Sequence, residues 1–425
     1  MKRAAYPKYK ESGVEWLGKV PEEWEIKAIK WESHVQRGAS PRPIDNPVYF
    51  DDDGEYSWVR ISDVTSAGMY LETTEQKLSE LGSSLSVKIQ PGSLFLSIAG
   101  SVGKPCIAKI KCCIHDGFVY FPRWKGDARY LYYIFASGEP YKGLGKMGTQ
   151  LNLNTDTVGG IVLGLPNPTE QTAIADFLDR ETGRIDTLVA KKCALIGLLK
   201  EKRTALISRT VTRGLPAAVV REFGLEPHTC FKDSGVEWLG EVSEGWEVKQ
   251  LKWSIMFQRG HDLPTDKREE GTIPLVTSAG ISATHSIAAA KGPGIVTGRY
   301  GTIGEFYLIE EDYWPLNTTL YSITTWGNNL VYLCYILSHL KPLFLLNAVK
   351  SAVPGIDRND IHTTKTAVPP LPEQTAIAAY LDRETAKLDK LIEKVEAATA
   401  RLQEYRTALI TAAVTGKIDV REVSA

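Results

Sequence analysis

The chain has 425 residues, 43% of them hydrophobic and 24% charged, with a net charge of −1. That length can bury two or three globular cores, which excludes intrinsic disorder. A neutral balance counts against a free-standing DNA binder unless partner subunits supply much of the phosphate contact. No apolar run of about eighteen residues exists and the N-terminus lacks the apolar stretch of an export signal, so the expected location is the cytoplasm, with no membrane partner. The six cysteines (Cys106, Cys112, Cys113, Cys193, Cys230 and Cys334) form no C-x-x-C pair and read as reduced structural thiols. Cys112-Cys113-Ile114-His115 lacks the spacing of a zinc site, so no metal site is expected.

The chain is written twice. Tyr9 to Gly38 reads YKESGVEWLGKVPEEWEIKAIKWESHVQRG and Phe231 to Gly260 reads FKDSGVEWLGEVSEGWEVKQLKWSIMFQRG, identical at 18 of 30 positions. EQTAIADFLDRETGRIDTLVAKK from Glu170 returns as EQTAIAAYLDRETAKLDKLIEKV from Glu373, and Arg203-Thr-Ala-Leu-Ile207 returns as Arg406-Thr-Ala-Leu-Ile410. Between these blocks, residues 39–165 and 261–368 share only short patterns. Each is rich in glycine, β-branched and aromatic residues. The pattern is one frame around two unlike inserts.

In chain order the reading is a mixed α/β domain over 1–165, a long helix over 166–213, a connector over 214–230, a second mixed domain over 231–368, a second long helix over 369–417 and a tail over 418–425. The first helix offers Thr169 as N-cap with Glu170 in its first turn, the second offers Pro372 at its first position, and Gly214 and Gly416 are the stops. In the second helix Leu388, Leu391, Val395, Ala398, Leu402, Tyr405, Leu409 and Ala412 alternate by three and four, a heptad seam. In the first helix Ile185, Leu188, Leu195, Leu199 and Leu206 keep the seam, with Val189, Cys193 and Ile196 beside it. At about 45 residues and about 1.5 Å per residue, each helix is about 65 to 70 Å long. The two seams predict antiparallel intramolecular pairing; packing on a partner chain is the alternative.

Ser-Gly-Val-Glu-Trp-Leu-Gly at 12–18 and 234–240, followed by Trp24 or Trp246, together with Glu-Gln-x-x-Ile-Ala-x-x-Leu-Asp at 170–179 and 373–382, resembles the twofold pattern of type I restriction-modification specificity subunits. The resemblance covers the whole chain. It implies an α+β fold with two target-recognition domains joined by two long antiparallel helices, each domain reading half of a split site on double-stranded DNA. It also implies partners: two modification (methyltransferase) subunits docked on the helices, and restriction (endonuclease/translocase) subunits in the same complex. Cofactors are expected in those partners (S-adenosylmethionine, ATP and magnesium) and none in this chain, which is expected to be non-catalytic. A stand-alone bipartite DNA-binding regulator is the alternative, and a coiled-coil adaptor without a DNA role is a third class.

The residues are compatible with this. Gly100-Ser101-Val102-Gly103-Lys104-Pro105 lacks the spacing of a phosphate-binding loop, and Glu25-Ile26-Lys27 and Glu247-Val248-Lys249 read as strand edges rather than half of a nuclease site. Candidate DNA contacts are Arg37 and Arg259, the same residue in both copies and so suited to phosphate or a turn. Ser101, Lys104 and Thr302 lie in glycine turns, with Glu305 standing where the first copy has Lys104. Arg60, Gln150, Asn152, Asn154, Arg299 and Arg358 lie in the divergent stretches and suit guanine or adenine edges. The candidate subunit or coiled-coil interface is Ile185, Leu188, Leu195, Leu199, Leu206, Leu388, Leu391, Val395, Leu402 and Leu409. Trp16, Trp24, Trp31, Trp238, Trp246 and Trp253, all in the repeated openings, are read as core or helix-docking residues.

Overall fold

The computed structural model describes residues 5–142, 144, 153–348 and 355–421. It divides into two units, residues 1–192 with 397–425, and residues 193–396. Each long helix, Pro168–Arg213 and Leu371–Val414, therefore gives one half to each unit. Among the described residues no single helix is long and apolar enough to cross a membrane.

In the first unit the repeated opening forms a hairpin, Tyr9–Glu11 with Lys19–Pro21, and then the strand Glu25–Ala28. That strand pairs antiparallel with Val162–Leu165, the last strand before the long helix. The frame thus closes on itself, with the divergent insert running out and back between these two strands. With Gln36–Arg37 from the end of the repeated opening, the insert builds one sheet in the order Gln36–Arg37, Phe118–Tyr120, Leu94–Ser97, Pro105–Ala108, Tyr70–Leu71, and by itself a second in the order Gln76–Leu78, Tyr56–Val59, Cys112–Ile114, Val87–Ile89. The helix Ala128–Ala136 covers the first sheet with Tyr130, Leu131, Ile134 and Phe135.

The second unit repeats the frame. Phe231–Asp233 pairs with Glu241–Ser243, and Glu247–Gln250 pairs with Lys365–Val368. Its insert, joined by Met256–Arg259 from the end of the repeated opening, forms an antiparallel sheet in the order Met256–Arg259, Thr319–Thr324, Gly294–Gly298, Phe306–Ile309, and by itself a three-stranded sheet of Gly280–His285, Ile273–Thr277 and Trp314–Pro315. Leu330–His339 is the covering helix. Both Glu-x-Lys motifs lie on the frame strands, where Lys27 pairs with Glu25 and Glu32, and Lys249 with Glu247.

The helices pair antiparallel. In the first unit Ile174, Phe177, Leu178 and Ile185 of the first helix share a core with Leu409, Ile410, Ala413 and Val414 of the second. Asp186 accepts both Nε and Nη2 of Arg406, at 2.8 and 3.1 Å. In the second unit Arg203 Nε lies 2.9 Å from Asp389. These are the same ion pair in the two repeats.

Within this pairing Ile185, Leu199, Val395 and Leu409 are buried and Leu206, Leu388 and Leu402 half-buried. Leu188, Leu195 and Leu391 correct the intramolecular seam: they are exposed, and Ile392 at 8% exposure takes the place read for Leu391 at 43%. A 3.5-residue stripe drifts by about 20° per heptad around a 3.6-residue helix, which is enough to pass burial to the next residue.

The stops are as read, with Gly214 at φ +81° and Gly416 at φ +69° just beyond the helices. The starts differ by a residue or two. Asn167, not Thr169, caps the first helix, its Oδ1 accepting the Glu170 N–H at 3.0 Å, because Pro168 fits the first helical position, where no N–H is needed. The second helix begins at Leu371, one residue before Pro372. Residues 418–421 are packed, with Val420 in the core of the first unit.

Candidate nucleic-acid interface

Glu170 and Gln171 join the frame to the insert. Glu170 is buried and accepts the Trp24 indole N–H at 3.0 Å and the Tyr6 hydroxyl at 2.6 Å. Gln171 Oε1 accepts the N–H of Asp127, which caps the covering helix, at 3.1 Å, and its Nε2 donates to Pro166 O at 2.9 Å. The second unit does the same with other neighbours: Glu373 takes Trp246 and His228, and Gln374 takes Asn329 N–H and Pro369 O. The Glu-Gln pair, in the first turn of each long helix, is a buried junction.

The Gln-Arg-Gly segments do one job in both units. Arg37 Nε donates to the carbonyl of Asp116, and Arg259 Nε to the carbonyl of Asn317 at 3.3 Å. A Cβ on Gly38 would lie 2.2 Å from His115 O, and one on Gly260 2.2 Å from Leu316 O. The arginine braces a turn, and the glycine lets two backbones touch. Of the two roles read for this arginine, the geometry is that of a structural turn.

In the first unit Arg37 and Arg60 both stand near His115. Burial, with these two cations, holds the imidazole below its usual range against the pull of Asp116. Arg60 precedes the helix Ile61–Ser66, whose Thr65 contacts Ser101 Oγ at 2.8 Å and accepts Lys104 Nζ on its carbonyl at 2.7 Å. Arg60, Ser101 and Lys104 are thus connected through one helix and one loop, and Arg37 is a neighbour through His115. Beside them a cavity of about 1370 Å³ is bordered by Arg42, Trp58, Arg60, Gln76, His115 and Asp116. Arg60 makes no side-chain hydrogen bond or ion pair among the described residues, and Gln76 Oε1 is buried without a partner there. Asn154 lies apart, its side chain capping Thr155–Gly160. Gln150 and Asn152 lie outside the described residues.

In the second unit Arg299 N donates to Thr318 O, next to Asn317, and its carbonyl accepts Ile356 N, two residues before Arg358. Its guanidinium lies 5.2 Å from the Tyr300 ring. Arg259, Arg299 and Arg358 therefore lie on adjoining segments. Thr302 Oγ1 is spent on Ser278 O, and Glu305 pairs with Lys341, so the contrast between Lys104 and Glu305 is absorbed by local contacts within each unit. Both glycine loops are hairpin turns, with positive φ at Gly100, Gly103, Gly301 and Gly304.

The tryptophans divide. Trp24 and Trp246 are fully buried and Trp16 packs against the core, but Trp31 and Trp253 correct the core reading, being 75% and 57% exposed. Each sits in a single short turn whose inward position goes to Ile29 or Leu251, leaving the indole outside with its neighbour Lys30 or Lys252 over the ring. Trp238 is half-exposed against His339. Burial pushes the Cys113 thiol up to about 11 and Cys112 higher still. Among the described residues no group of His, Cys, Asp and Glu is placed to hold a metal ion.

Comparisons with known proteins match this geometry. The chain is 25% identical over 269 residues, 61% of its length, to the type I restriction enzyme MjaIX specificity subunit of Methanocaldococcus jannaschii, and the match spans 58% of that relative. A structure described as the basis of complex assembly and conformational transition of the type I R-M system superimposes with a TM-score of 0.68 at 16% identity, covering 93% of this chain and 98% of the other. The crystal structure of the HsdS subunit from Thermoanaerobacter tengcongensis gives 0.53 at 15% identity, covering 96% of this chain and 100% of that one. At these identities the two structures establish a shared fold. Residues 21–194 and 243–398, one stretch in each repeat and together well over half of the sequence, match the type I restriction modification DNA specificity domain, and the chain belongs to that family.

Proposed function

We propose that this chain is the sequence-specific DNA-binding specificity subunit of a type I restriction-modification complex, each unit reading one half of a bipartite double-stranded site. The observation that carries this reading is the repeated frame around two unlike inserts, with the family match in both copies. A repeated frame suits a partner met twice, and unlike inserts suit two different half-sites. Two modification subunits dock on the long helices, which at 46 and 44 residues set the spacer, and restriction subunits complete the complex. S-adenosylmethionine belongs to the modification subunits, and ATP and magnesium to the restriction subunits. This chain binds and positions without catalysing, in the cytoplasm. The near-neutral charge fits a subunit whose partners share the phosphate contacts.

Coexpression with the neighbouring subunits tests this. The chain should copurify with a methyltransferase in twofold excess, and methylation-sensitive sequencing of the host should return one bipartite motif. Purified alone, it should show no methyltransferase or nuclease turnover. A chain that purifies without partners and binds a bipartite site at full affinity would be a stand-alone regulator instead.

A further inference from the structure

The braced turns carry different side chains in the two units. In the first, Ser40 Oγ donates to Asp116 Oδ1 at 3.1 Å. In the second, Asn317 Nδ2 donates to Asp262 Oδ1. Ser40 and Asp262 stand at the same place, two residues after the glycine of each Gln-Arg-Gly segment. Asp116 and Asn317 also correspond, since each offers its carbonyl to the bracing arginine. The same two positions thus touch in both units, with donor and acceptor exchanged. A carboxylate only accepts, which fixes the direction in each case: the hydroxyl gives to Asp116, and the amide gives to Asp262.

We propose that these pairs, residues 40 with 116 and 262 with 317, are equivalent base-reading positions, and that their inverted hydrogen-bond polarity makes the two units select different bases. The proposal rests on the DNA-reading function proposed above. In the first unit the one donor of the Ser40 hydroxyl is spent, and Asp116 keeps free lone pairs at the cavity that Arg60 and Gln76 also line. Arg42 Nη2, 3.4 Å from Asp116 Oδ2, steadies the carboxylate. In the major groove such a group accepts only from an amino group on the edge of a base pair, that of cytosine or adenine. In the second unit Asn317 keeps one N–H and its carbonyl oxygen, a donor and acceptor side by side. That pattern matches the major-groove edge of adenine. The brace uses a backbone carbonyl, so the presented side chain can vary without disturbing the turn.

The test is site selection from randomised duplex DNA by the complete complex, with this chain unmodified or carrying Ser40→Asp with Asp116→Asn, which writes the second pair into the first unit. One position of the first half-site should narrow from either amino-bearing base, cytosine or adenine, to adenine alone, with cytosine losing on the order of ten- to a hundred-fold and the second half-site unchanged. Asp262→Ser with Asn317→Asp should do the reverse. Asp116→Asn alone is nearly isosteric, keeps the brace, and should relax the same position. If the unmodified complex selects two half-sites and all variants select the same two, the inference is wrong and the specificity reading stands; change in the opposite half-site also overturns it. Loss of binding by a double variant, with unchanged selection by Asp116→Asn, overturns it as well. An unmodified complex that selects no sequence overturns both.

Discussion

Trp24 donates its indole N–H to Glu170 Oε1 across 3.0 Å inside the first core, and Trp246 does the same to Glu373 Oε2 across 3.0 Å in the second. Each bond ties the repeated opening to the first turn of a long helix. Removing the acceptor strands two buried donors, the indole and the Tyr6 hydroxyl in the first unit. Glu170→Ala should therefore cost about 2 kcal/mol or more in chemical denaturation, and Glu170→Gln, which keeps an acceptor, clearly less. Equal losses for both would show that a neutral acceptor does not replace the carboxylate, so that stranded donors are not the source of the cost.

The interior of the helix pair separates neighbouring residues. Ile392→Ala should destabilise the chain by about 2–4 kcal/mol, because Ile392 is buried. Leu391→Ala should cost less than about 1 kcal/mol in the isolated chain, because its side chain is already in solvent. Urea midpoints decide between them, and a larger loss at Leu391 would restore the strict heptad seam. Weakened recruitment of modification subunits by Leu391→Ala, at unchanged stability, would place that leucine under a partner.

The pairs Asp186–Arg406 and Arg203–Asp389 join two partly exposed side chains each. A double-mutant cycle on either should give a coupling of about 0.5 kcal/mol that shrinks with added salt. A coupling above about 2 kcal/mol would mean that these ions, rather than the apolar contacts, hold the helices together.

Exchange of one insert for that of another family member should change one half of the recognised site. The joint belongs before residue 162, because Val162–Leu165 pairs with the frame strand Glu25–Ala28. A graft of 39–160 should fold as the parent does, whereas a graft of 39–165 imports a foreign strand into the frame and should unfold at a lower temperature. Change in both halves of the DNA site would show that recognition is not modular.

Arg37→Lys should weaken binding to the first half-site without changing which bases it prefers, because lysine has no Nε–H to hold the Asp116 carbonyl. Binding assays on single-base variants of the site check this. A base preference changed at a position that Asp116→Asn leaves untouched would make Arg37 itself a reader.

The duplication, the two long helices and their glycine stops were legible in the sequence, because repetition, apolar periodicity and the need for positive φ beyond a helix are local properties of the chain. So was the division into frame and insert, from which the two-reader fold follows. Tertiary structure decided the rest. The choice of Ile392 over Leu391 depends on helix drift against a particular partner face. The buried role of Glu170 depends on Trp24, which lies 146 residues away in the sequence. Trp31 and Trp253 share repeated segments with buried tryptophans, yet a single short turn carries them outside. Ser40 meets Asp116 only because the sheet brings together residues 76 apart, in a stretch where the two copies no longer align. Patterns with a short period can be read along the chain. Contacts between distant residues, which set hydrogen-bond polarity at the reading positions, exist only once the sheets have closed.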